Sequence, residues 1–247
     1  MLASGTAQIS KDHPKQEAQR SARALARAKV IATKVHMAGA NLPATVTSSS
    51  EAAELLGYLG RGIPYDEVWT FHPESLGETK VELRAKVRAL AAPGERRLLG
   101  QLDSTVVVAA QPIRLKVTAR KDSHIGVFAW QADGTVLRLY PESTRKQPVL
   151  VKAGETIWFP RANDAYPAIA SANMPGERSN HEALIVVTGA RMANMQFEQL
   201  VPATIAQSTQ HSSPSLIDAT EFLRRLSALS DPELELLVLP YEVVASR

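Results

Sequence analysis

The chain contains no cysteine, which excludes disulfides, thiolate nucleophiles and zinc–thiolate sites together. That absence leaves the compartment open, because a cysteine-free protein is at home in oxidising and reducing surroundings alike. No apolar run approaches the roughly 18 residues of a membrane span. The phosphate-cradling patterns G-x-x-x-x-G-K and G-x-G-x-x-G are missing, and so is the strained G-x-S-x-G elbow that presents a serine nucleophile. Aromatic residues make up only 5% of the 247. An excess of either charge is lacking as well: 28 Lys and Arg stand against 25 Asp and Glu, for a formal +3. A small, scattered excess does not imply nucleic acid. Arg20, Arg23, Arg27, Lys29 and Lys34 do crowd one helix-like segment, but no aromatic lies among them for a base to stack on. They read as a solvated helix face.

What is present divides into two parts. After a strand-like "GTAQIS", the segment from Pro14 to about Met37 is free of Gly and rich in Ala, Arg, Lys and Gln, which predicts a helix. Ala18, Ala22, Leu25, Ala28, Ala32 and Val35 recur at steps of three or four, a stripe of mostly small residues able to lie close against a sheet. Gly39 is the expected left-handed cap. "SSSEAAELLGYLGRG" offers Ser48 as N-cap with Glu51 three places on, a capping-box spacing before a second, shorter helix. "IPYDEVWTFHP" and "TKVELRAKVRAL" are β-rich. The second alternates Val81, Leu83, Ala85, Val87 and Ala89 with Glu82, Arg84, Lys86 and Arg88, so one face is buried and the other wet. "PESLGE" supplies their turn.

A break at "AAPGERR", around Pro93 and Gly94, suggests a domain boundary. Beyond it the chain is mostly β. "STVVVAA" and "IRLKVTAR" read as strands, and "STVVVAAQPI", uncharged from Ser104 to Ile113, is either a central strand or an edge meant to be covered. Ile125–Tyr140 reads as a hairpin with Asp133-Gly134 supplying positive backbone angles. "VLVKAGETIWFP" reads as a second hairpin turned at Ala153-Gly154, and "HEALIVVTGA" as a central strand. A polar loop, "AQSTQHSSPS", precedes an amphipathic helix from about Leu216 to Leu229 and a last strand, "ELLVLPYEVVAS". The expected fold is α+β. An α/β module (strand, helix, helix, strand, strand) fills residues 1–92, and a mostly β, sandwich-like domain with a C-terminal helix fills residues 93–247.

Reactive constellations are thin. No two of His13, His36, His72, His124, His181 and His211 lie within one helical turn, so the sequence gives no local metal signal. His72-Pro-Glu74 and His181-Glu182 offer pairs at best, and Glu142, Glu155 and Glu182 are carboxylates whose convergence only structure decides. Trp130 and Trp158, on neighbouring hairpins, form either an exposed aromatic platform for a sugar or partner strand, with Tyr166 nearby, or part of a packed core. Phe128 and Trp130 share a face by strand alternation, and so do Arg138 and Tyr140. The possible ligand or partner surface is therefore Trp130, Trp158, Tyr166, Arg138 and Tyr140, with no catalytic, cofactor-binding or metal residue expected.

The segments "GTVLRLYPESTRKQPVLVKAGETIWFP" and "HEALIVVTGA" resemble domain of unknown function 4384, a bacterial family. The resemblance rests on Phe128, Trp130, Asp133, Gly134, Arg138, Leu139, Tyr140, Pro141, Lys152, Ala153, Gly154, Glu155, Phe159, Pro160 and Glu182, and is expected to cover the C-terminal two thirds. Glu142 stands where members often carry Asn. Residues 1–92 are similar to the N-terminal domain of the flagellar T-ring protein and related outer-membrane lipoproteins, through "GTAQIS", "ARALARAKVIATKVHMAG", the helix ending near Gly60 and "VELRAKV". The two resemblances imply an exported protein, periplasmic or associated with the outer membrane. They imply a non-enzymatic structural or assembly component of a cell-envelope complex (secretion, flagellar or surface machinery). Its partners would be other envelope proteins or further copies of itself. Nucleic acid is not expected, and the membrane would be reached only through a removed lipid anchor or a partner. The start "MLASGT" is expected to follow a removed export signal. Three alternatives stand: a periplasmic module binding glycan or peptide through Trp130, Trp158 and Tyr166, an accessory domain pair of a secretion or conjugation system, and a hydrolase whose Ser, His and carboxylate meet only in the fold.

Overall fold

Small side chains let the first helix lie almost on the backbone of the first strand. In the computed structural model, which describes residues 1–37, 40–90, 96–141, 148–160, 170, 179–189, 192, 197–201 and 216–245, β1 (Leu2–Gln8) is followed by α1 (Lys15–Lys34) and α2 (Ser49–Leu56), then β2 (Gly62–Phe71) and β3 (Glu78–Ala89). Ala18, Ala22, Leu25 and Ala28 of α1 are fully buried. A Cβ at Gly5 of β1 would lie 1.9 Å from the Ala22 carbonyl oxygen, so only glycine permits this approach. The three strands form an antiparallel sheet in the order β1-β3-β2. Its alternating β3 buries Val81, Leu83 and Ala85 against α1 and leaves Lys80, Arg84 and Lys86 exposed.

Local signals behave as their chemistry dictates, with shifts of a residue or two. Ser48 caps α2 by accepting from the Glu51 N–H at 3.3 Å, but the Glu51 carboxylate reaches back to the Thr47 N–H, 2.7 Å, not to that of Ser48. The left-handed residue after α1 is His36, with φ 49°; Gly39, the expected cap, lies outside the described residues. The β2–β3 turn uses Leu76 and Gly77 at φ 53° and 74°.

The rest of the chain builds two sheets. β4 (Leu98–Leu102), β5 (Val106–Val108), β6 (Leu115–Ala119), β7 (Ser123–Trp130), β8 (Thr135–Tyr140), β9 (Val149–Val151), β10 (Thr156–Phe159) and β11 (Ser179–Thr188) precede β12 (Leu216–Asp218), α3 (Ala219–Ser227) and β13 (Glu235–Val244). The second sheet runs β10-β6-β4 and the third runs β12-β8-β7-β11-β13-β5, with β9 also on β7. Both faces of the third sheet are covered, which explains the unbroken apolar run of β11. Ala183, Ile185 and Val187 enter a first core with α1, α2, α3 and the first sheet. Leu184 and Val186 enter a second core, where Leu98, Leu115, Val117 and Phe159 of the second sheet meet them. The β-rich part is thus a sandwich, three strands over seven, with the helices and the first sheet on its far side. The first core draws on both sides of the break at residues 91–95, which itself lies outside the described residues.

Three sequence readings change and one alternative is decided. Only Gly134 of the β7–β8 turn has positive φ, 83°, and the Gly134 N–H donates to the Gln131 carbonyl at 3.0 Å, so Asp133 is not in the left-handed region. Its carboxylate instead accepts from the Thr135 N–H at 2.9 Å. "VLVKAGETIWFP" is not a hairpin: β9 pairs with β7 and β10 with β6, so Lys152–Glu155 is a corner that carries the chain from the third sheet to the second. β4 was not foreseen, because "LLGQL" lacks β-branched residues. Of the two readings of "STVVVAA", the edge is the one observed: β5 ends the third sheet, paired parallel to β13.

Candidate interaction surface

The five residues singled out from the sequence do not form one surface. Trp130 is 4% exposed and belongs to the first core; Tyr140, 2% exposed, belongs to the second. Neither is a platform, because each faces a layer that covers the third sheet. Tyr140 meets the Phe159 ring at 5.2 Å between centroids, edge-on, and both Tyr140–Pro141 and Phe159–Pro160 are cis. Arg138 does not share a face with Tyr140. A register shift sets Tyr140 opposite Val127 but Arg138 opposite Phe128, and such a bulge flips the side-chain alternation. Arg138 is half-buried on the first-core side. Tyr166 lies outside the described residues. Trp158 alone is open, at 38% exposure.

The proposed carboxylate and histidine pairs separate too. His72 faces Glu82 at 3.3 Å while Glu74 meets Lys15 at 2.6 Å. Adjacent strand residues point to opposite faces, and His181 and Glu182 do so. Glu182 accepts from the Tyr241 hydroxyl at 2.8 Å and from the Ala132 N–H at 3.4 Å; burial, with the Glu182 carboxylate beside it, pushes the Tyr241 phenol up. His181 is buried near Arg20 and His13, and desolvation first, then the charge of Arg20 and the neighbouring His13, lowers its pKa to about 3. His13 is likewise lowered, chiefly by burial, and its Nε2 lies 2.9 Å from Ser21 Oγ. Glu155 closes the β9–β10 corner by accepting from the Lys152 N–H at 3.0 Å. Glu142 lies outside the described residues.

Two arginines of α1 contradict the solvated-face expectation. A bulge in β2, with Asp66 at φ 54° between the paired residues Tyr65 and Val68, turns Glu67 inward beneath α1. Arg27 grips its carboxylate with two bonds, 2.8 and 2.7 Å, and the Glu67 side chain is fully buried. Trp69 Nε1 and Thr220 Oγ1 donate to the same carboxylate, each at 3.2 Å. The Arg27 guanidinium lies 5.1 Å from the Trp69 ring and 5.3 Å from Trp130. Arg23 lies 5.7 Å from Trp69 and 4.8 Å from Phe71, and burial lowers its pKa. A ladder of rings and guanidiniums thus fastens α1 to β2 and β7. Arg88, expected on the wet face of β3, donates instead to the carbonyls of Ser227 at 3.2 Å, Asp231 at 2.5 Å and Leu229, where the C-terminal end of α3 favours a cation.

The open face belongs to the second sheet. Lys116 of β6 stands between Trp158 of β10 and Gln101 of β4, and Thr118 between Thr156 and Leu99. Thr118 and Thr156 hydroxyls bond at 2.8 Å. Arg114 approaches the Trp158 ring at 4.9 Å and Lys116 at 5.9 Å. Leu99 is 42% exposed. The face carries one large aromatic with flanking cations and hydroxyls.

This α+β architecture, a three-over-seven sandwich backed by helices, contains a recognisable family segment. Residues 107–188 match the family described as Domain of unknown function (DUF4384), a span shorter than the C-terminal two thirds expected. It takes in β5–β11 and Trp158 but not β4, α3 or β13. No curated protein matches the chain.

Proposed function

We propose that the protein is a non-enzymatic assembly component of a bacterial cell-envelope complex, acting by protein–protein contact through the outer face of the second sheet. One observation carries the reading. Among the described aromatics of residues 107–188, Phe128, Trp130, Tyr140 and Phe159 are buried at 5% exposure or less, while Trp158 is held at 38% on the outer face of the second sheet. A half-exposed tryptophan rimmed by polar groups has the composition of an interface anchor. The envelope setting, periplasmic or at the outer membrane, rests on the two family resemblances. The T-ring-like features of residues 1–92 fall on β1, α1, α2 and β3. A second reading, a module that binds glycan or peptide, is favoured by the same exposed ring.

Replacing Trp158 with the photo-crosslinker p-benzoylphenylalanine in the native host tests this. Protein adducts in the envelope fraction are expected from position 158 and not from the buried position 130. Absence of adducts, with the protein in the cytosolic fraction, overturns the proposal. Absence of adducts together with a Trp158 fluorescence change on adding cell-wall glycan fragments transfers the face to the second reading.

A further inference from the structure

The face around Trp158 is uneven in charge, and that unevenness describes its partner. On the assumption that the docking reading above holds, we infer that the outer face of the second sheet receives an acidic segment of a partner protein. Outward residues along and beside β6 are Arg114, Lys116, Thr118 and Arg120, of which the three cations are exposed. Alternate residues of a strand are about 6.6 Å apart, a spacing that alternate carboxylates of an extended partner chain share. The neighbouring outward positions, Thr156 and Trp158 on β10 and Leu99 and Gln101 on β4, carry no charge. Among the described residues, Asp103 is the carboxylate that approaches the row, 3.9 Å from Arg114. Among the described residues, three cations against one carboxylate leave this face positive, on a chain whose whole formal charge is +3.

The geometry of Arg114 favours a carboxylate over a sugar. A guanidinium over an indole keeps its N–H donors in its own plane, directed past the ring, where a carboxylate accepts two of them side by side. Arg114 at 4.9 Å from the ring centroid also competes with a sugar for that ring. A membrane is disfavoured because Trp158 and Leu99 are the two large apolar side chains outward on this sheet, too little surface to hold an interfacial module.

The test uses the full chain and a fluorescein-labelled peptide alternating glutamate with valine, read by anisotropy. A lysine-for-glutamate peptide, polyphosphate and phosphatidylglycerol vesicles are the other arms. The acidic peptide is expected to bind, to weaken as salt rises, and to lose about tenfold or more in affinity with Lys116→Glu or Arg114→Glu. Lys80→Glu, on the first sheet, is expected to leave it unchanged. Circular dichroism establishes that the variants are folded. Equal binding of the lysine peptide, tighter binding of polyphosphate or vesicles, or insensitivity to Lys116→Glu overturns the inference. In cells, adducts from position 158 that vanish with Arg114→Glu and Lys116→Glu support it. Adducts that persist defeat the acidic partner while leaving docking intact.

Discussion

Arginine meets tryptophan in two opposite settings of this protein. Between α1, β2 and β7, Arg27 lies among Trp69 and Trp130 with its charge answered by the buried carboxylate of Glu67. On the second sheet, Arg114 lies over Trp158 with its nearest carboxylate 3.9 Å away and water on the open side. The chemistry of the pair is the same, and burial decides what it is for. A desolvated cation needs a partner within the protein, so removing that partner is costly. A solvated one contributes little to stability and stays available to another molecule.

The sharpest way to break this comparison is Glu67→Leu, which strands the Arg27 charge and is expected to destabilise by about 3–5 kcal/mol in chemical denaturation. Combining it with Arg27→Leu should restore most of the loss, while Arg114→Glu should shift stability by no more than about 0.5 kcal/mol. A denaturation midpoint that moves equally for Glu67→Leu and Arg114→Glu would erase the distinction. Trp130→Ala is expected to cost about 3–5 kcal/mol through the cavity it leaves, against less than about 1 kcal/mol for Trp158→Ala.

Titration gives the next largest effect, confined to the closed side. His181 stays neutral in the folded protein down to about pH 3, whereas in the unfolded chain it takes a proton near pH 6.5. The unfolded state therefore binds more protons as pH falls below 6.5, and stability present above that value is lost progressively towards pH 3. About 2 kcal/mol should go between pH 6.5 and 5. Denaturation midpoints at pH 7 and pH 5 measure this, and His181→Leu should flatten the acid slope. An unchanged slope would show that another group governs it. A smaller, local effect is expected at the turn that carries Trp130 inward. Gly134→Val should cost about 1 kcal/mol, because φ is 83° there with open space around it, and Asp133→Asn should be nearly neutral.

Local chemistry was legible in the sequence and distant pairing was not. The order of the first five elements, the Ser48 cap, the close-packing stripe of α1 and the burial of β11 all follow from residues within a turn or two of one another. The corner at Lys152–Glu155 looks like a hairpin because nothing within "VLVKAGETIWFP" reveals that its two strands pair with different sheets. Arg23 and Arg27 look solvated because their aromatic partners come from β2 and β7, far along the chain. Of the candidate surface, Trp158 is the exposed ring and Trp130 and Tyr140 are buried, a difference not readable without knowing that the third sheet is covered on both faces. The edge position of β5 also redirects mutagenesis there. Val107 faces the second core at 8% exposure while Val106 and Val108 are 51% and 41% exposed, so a lysine at 107 would disturb the core and one at 106 would guard the edge.

The place of β13 has a consequence for synthesis. It lies between β11 and β5, yet the family segment ends with β11, at residue 188. As the chain leaves the ribosome, one whole side of β11, among its most apolar strands, has no backbone partner until residues 235–244 emerge. A nascent chain halted between those points would present an apolar, unpaired strand of the kind that recruits chaperones or neighbouring chains. The seam that completes the sheet is thus also the interval in which the protein is most exposed to misassembly.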